Sequence, residues 1–111
     1  MITVEKLKAF GANTEEALTR CFGNEALYLK LVATIPAEAK FETLRQAIAS
    51  NNLDAAFEAA HALKGVLGNL SLTPLYTPMV ELTEHLRARE TMNYAPLLDQ
   101  ILTKKAELAA L

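Results

Sequence analysis

At 111 residues and 51% hydrophobic content, the chain is sized for one domain over 1–111, able to bury about two thirds of its unfolded surface. A net charge of -2 gives no basic field for a phosphate backbone, which argues against nucleic acid as a partner. No apolar stretch reaches the roughly 18 residues of a membrane span, and no charged leader precedes an apolar run, so a cytoplasmic chain away from the membrane is expected.

Thr3 can cap a short helix through Phe10, ended by Gly11, and Asn13 or Thr14 can cap a second through Phe22, ended by Gly23. The lone cysteine, Cys21, lies in the apolar pattern of that second helix and reads as core filler. Asn24 is the next cap, and Leu27, Tyr28, Leu31, Val32 and Ile35 mark a helical face up to Pro36, where helical geometry must be left. A longer helix then presents Phe41, Leu44 and Ile48 inward until Asn51 and Asn52 break it. The following helix runs from about Leu53 to Leu70. Leu75, Met79, Leu82 and Leu86 define the next one, whose start carries two cap-plus-proline pairs, Thr73-Pro74 and Thr77-Pro78. A distorted first turn is therefore expected, with the regular helix starting as late as Pro78. Asn93 caps a last helix packed through Leu97, Leu98, Ile101, Leu102 and Leu108. No segment alternates with period two, so the expected fold is all-α: an up-and-down antiparallel four-helix bundle with additional short N-terminal helices.

Unusual residues interrupt this regular pattern in one place. On the 53–70 helix, Leu53, Ala56, Ala60, Leu63, Leu67 and Leu70 recur as a core-facing stripe. His61, Gly65 and Gly68 fall on its flank within roughly 60° of arc, with Lys64 adjoining and Asp54 and Glu58 extending the flank toward the helix start. Each glycine costs about 1 kcal/mol relative to alanine inside a helix, so the missing side chains must be useful. Spacing alone leaves two uses open: close approach of a second macromolecule to His61, or tight packing between helices. Lys64 favours the first, because a cation one turn from an exposed imidazole suits a phosphoryl group carried on it.

His61-Ala62-Leu63-Lys64-Gly65 followed by Gly68-Asn69-Leu70 closely resembles the signature of histidine phosphotransfer (HPt) domains, the phosphoryl carriers of two-component phosphorelays. The likeness extends to 24–30, to the Asn-Asn-Leu-Asp stretch before the histidine helix, and to 75–86. Ser71 departs from it, standing where the family often has a glycine. The resemblance implies that His61 accepts a phosphoryl group from a receiver-domain aspartate and passes it to another receiver, with Lys64 neutralising charge. Gly65, Gly68, Asp54 and Glu58 would form or edge the receiver-docking surface.

An antiparallel hairpin centred near Leu72 sets Thr83 level with His61, where the family often has a glutamate or glutamine that orients the ring. Thr83 is the candidate for that role, and Glu84 points about 100° away. The implied partners are receiver domains and a hybrid histidine kinase, with the carrier itself a monomer. No cofactor is expected on the chain, the Mg²⁺ of the transfer being supplied by the receiver. Nor is ATP use, since there is no glycine-rich nucleotide loop. Glu58-Ala59-Ala60-His61 has the Glu-x-x-His spacing of di-iron bundles, but the second such pair is missing and no metal site is expected. The alternative reading is a helical interaction module that docks receivers without carrying phosphate. His85, on the polar half of its helix, reads as a surface residue.

Overall fold

The helix starts of this chain are made largely by side-chain caps, and the computed structural model, which describes residues 2–111, has the first three in place. Thr3 Oγ1 accepts from Lys6 N at 3.1 Å to open α1, Val4–Phe10, and Gly11 closes it at φ 115°. Asn13 opens α2, Thr14–Arg20, and Asn24 opens α3, Glu25–Ala33, each accepting from the amide three residues on. The second helix stops short of the expected Phe22, because Phe22 turns left-handed at φ 56° ahead of Gly23 at φ 73°. Cys21 is buried at that end. Beyond α3 the chain passes Pro36 in a 3-10 turn, Ile35–Ala37.

Four longer helices follow: α4 (Lys40–Ala49), α5 (Leu53–Asn69), α6 (Thr73–Arg87) and α7 (Ala95–Ala109). Short links at 50–52 and 70–72 leave room only for antiparallel neighbours. Helix α4 packs on α5, α5 on α6, α6 on α7, and α7 back on α4, an up-and-down bundle closed on itself. Its core is aliphatic, with Leu44, Leu63, Leu67, Leu82 and Ile101 essentially sealed from solvent, and Leu7, Ala17, Tyr28 and Val32 of the three N-terminal helices buried in the same core. Among the described residues there is no strand.

Two helix starts differ from expectation. Helix α6 begins at Thr73 rather than Pro78, which is enclosed within it and buried. A proline this near the start removes only the bond from residue 78 to the carbonyl of Pro74, and the buried Leu75 and Met79 hold the turn on either side of it. Helix α7 takes Tyr94 as its N-cap, one residue past Asn93, yet Asn93 Oδ1 still accepts from Ala95 N at 3.1 Å.

Candidate functional site

Burial of the stripe decides which way the opposite flank faces. Ala56, Ala60, Leu63, Leu67 and Leu70 are buried and Leu53 is half-buried, so the other side of α5 is turned to solvent. His61, Gly65, Asp54 and Glu58 are exposed there, and Lys64 is half-buried beside them. Lys64 makes no ion pair among the described residues, whereas Asp54 is paired with Arg89.

The His61 ring has no hydrogen-bond partner among the described residues. It lies instead against the ring of Phe57, one turn earlier, with centroids 5.7 Å apart and planes inclined by 18°. The guanidinium carbon of Arg87, from α6, stands 5.0 Å from the centroid of the same Phe57 ring. This stack was not among the sequence expectations, although a spacing of four places two aromatic rings on one helix face.

Thr83 is fully buried, and its hydroxyl donates to its own helix at Met79 O, 2.7 Å away. The hairpin arithmetic itself holds, since Phe57 faces Arg87 and Gly68 faces Tyr76, both pairs centred on Leu72. Being level with His61 does not bring Thr83 to the ring, because the threonine's oxygen bonds along α6 rather than across to α5. Of the side chains that sequence reasoning placed at the imidazole, this one makes no hydrogen bond to it.

The two glycines separate. Nothing lies within 4 Å of the point where a β-carbon at Gly65 would stand, so the backbone beside His61 is open. At Gly68 a β-carbon would stand 2.8 Å from Tyr76 Cε1, closer than such atoms approach, so the missing side chain makes room for the tyrosine ring. The space beside Gly65 is therefore open, and that beside Gly68 is filled by Tyr76.

Helix α5 ends in a Schellman motif: Leu72 N donates to Leu67 O at 3.0 Å and Ser71 N to Gly68 O at 3.1 Å. The motif needs a left-handed residue, and Ser71 supplies it at φ 51° where glycine would be the easier choice. Its hydroxyl receives Arg20 Nη1 at 2.7 Å and donates to Glu16 Oε1 at 2.9 Å, while the same Arg20 nitrogen donates to the carbonyls of Gly68 and Asn69. The Ser71 hydroxyl and then the Arg20 guanidinium hold the Glu16 carboxyl below the usual range. Deeper in, Tyr28 donates its phenol proton to Leu70 O at 3.0 Å. Between α2, α5 and α6 lies a groove of about 540 Å³ bordered by Arg20, Lys64, Gly65, Gly68, Thr73 and Tyr76.

His85 is differently placed from His61. It is half-buried and its ring meets Glu90, with Glu81 at 3.8 Å. The Glu90 hydrogen bond, reinforced by the charges of Glu90 and Glu81, raises its pKa above the ordinary histidine value. Among the described residues no three His, Cys, Asp or Glu side chains come together as a metal ion would require, and none of their helices is long and apolar enough to cross a membrane.

Residues 35–111, from the 3-10 turn through α7, match the family model described as the Hpt domain. No curated protein and no solved structure gives a match.

Proposed function

This chain belongs to the Hpt domain family, and from that membership we propose that it is a phosphohistidine carrier, accepting a phosphoryl group on His61 and passing it on. The observation that carries this reading is the flank of α5. An exposed imidazole stands there, with open backbone at Gly65 one turn on and, at Lys64, an ammonium that makes no ion pair among the described residues.

The donor is the acyl phosphate of a receiver-domain aspartate. The lone pair of the exposed ring nitrogen forms the N–P bond as the P–O bond breaks, and that electron pair leaves on the aspartate carboxylate. Onward transfer runs the same exchange in reverse, to a second receiver. A neutral imidazole suits both directions, being nucleophilic near neutral pH and a competent leaving group once phosphorylated. Little covalent machinery is needed beyond it, because phosphoryl transfer depends mainly on alignment and charge neutralisation. Lys64 supplies one positive charge on the carrier side. The bare backbone at Gly65 lets a receiver loop close over the ring. Divalent-ion chemistry is assigned to the receiver, as the family resemblance implies. The carrier is given no kinase activity of its own.

Incubation with phosphorylated receivers tests this. Acid-labile, base-stable phosphate should appear on the chain and be discharged by a second receiver. Failure of every receiver of the source organism to label it would overturn the proposal and leave a docking module without phosphate.

A further inference from the structure

His61 is exposed and its ring nitrogens have no partner among the described residues, so hydrogen bonding does not set its orientation. One near-parallel aromatic contact remains, the Phe57 ring at 5.7 Å and 18°. Phe57 is itself held. It is half-buried on α5 and packed against the core, with Arg87 at 5.0 Å from its ring centroid and Arg87 Nε 3.4 Å from Glu84. The stack thus runs from α6 through Arg87 and Phe57 to His61.

Resting on the carrier reading above, we propose that Phe57 is the positioning residue of the transfer: its face fixes the rotation of the His61 ring, and Arg87 holds Phe57. An imidazole turning about its Cβ–Cγ bond sweeps the attacking lone pair away from the line to phosphorus. A stacked ring restricts that turning without occupying either nitrogen, so the nucleophile is aligned and both its nitrogens stay available. The restriction matters when the phosphorus arrives on a docked receiver, whose approach is fixed. It matters little for a small donor that can come from any direction.

The experiment compares two donors, a phosphorylated receiver at saturating concentration and phosphoramidate, on the full chain and its Phe57→Leu, Phe57→Tyr and Arg87→Ala variants. Phe57→Leu should slow transfer from the receiver by about tenfold with its apparent affinity unchanged, and should leave labelling by phosphoramidate at the parent rate. Phe57→Tyr should restore the receiver rate, and Arg87→Ala should lower it by about threefold. Proton NMR gives a readout independent of transfer: the ring-current shift of the His61 ring protons should vanish in Phe57→Leu and persist in Phe57→Tyr. A parent receiver rate in Phe57→Leu, equal loss with both donors, or no ring-current shift in the parent chain would each overturn the positioning role. Absence of label on the parent chain from either donor would instead remove the carrier reading, and the positioning role with it.

Discussion

Arg20 Nη1 donates to the hydroxyl of Ser71 at 2.7 Å, tying a helix that lies outside the 35–111 family match to the end of the helix that bears His61. Ser71 holds a left-handed backbone at φ 51°, a conformation that strains a side-chain-bearing residue by about 1 kcal/mol. Its hydroxyl bonds offset that strain. Replacing Ser71 by alanine keeps the strain and loses the bonds, and should cost about 1–2 kcal/mol in urea unfolding. Ser71→Gly loses the bonds and the strain together, so it should lie within about 0.5 kcal/mol of the parent. A glycine variant less stable than the alanine variant would contradict this account of the helix end.

The two glycines of α5 should answer differently to the same substitution. Gly65→Ala meets no neighbour and removes a helix-interior glycine, so stability should rise by about 1 kcal/mol while receiver affinity falls. Gly68→Ala should show no such gain, because the new methyl group displaces the Tyr76 ring. In a Tyr76→Ala background the gain should return, and the double-mutant cycle measures the coupling directly. Equal effects at both positions, with no coupling to Tyr76, would mean that the ring does not set the requirement at Gly68.

Lys64 is half-buried on the His61 flank without an ion pair among the described residues. Lys64→Ala should leave the melting curve unchanged and slow receiver-dependent transfer by about tenfold or more. Single-turnover kinetics at saturating receiver provide the check, and an unaltered rate would remove the lysine from the transfer.

His85 introduces a pH dependence remote from the proposed chemistry. Its pKa is raised in the folded chain, chiefly by the Glu90 hydrogen bond and then by the Glu90 and Glu81 charges. A raised folded-state pKa means that the protonated form is favoured by folding. The contribution is therefore complete below the unfolded value of 6.5 and fades as pH rises through the higher folded value. Thermal melts should show the parent chain losing stability relative to His85→Gln as pH climbs through that window. An advantage that grew with pH would have the wrong sign.

Much of the architecture was legible because it rests on local chemistry. Thr3, Asn13 and Asn24 each cap a helix where the sequence puts them, and the apolar stripe of α5 predicts its own burial. Pro78 misled because the packing of Leu75 and Met79 outweighs one missing hydrogen bond, a tertiary effect invisible in the local pattern. At the site, His61, Gly65 and Lys64 were legible from spacing on one helix. Thr83 was placed at the right level with its hydroxyl pointing elsewhere, since hairpin arithmetic gives height and not side-chain direction. Tyr76 over Gly68 and Arg20 on Ser71 join elements by contacts that no single-helix periodicity encodes.

The measurement closest to the central claim is residue-level mapping of the phosphate, at neutral pH, after transfer from a phosphorylated receiver. Modification of the His61 ring, and none anywhere on His61→Gln, is the expected result. Phosphate mapped to His85, or persisting on the glutamine variant, would contradict it.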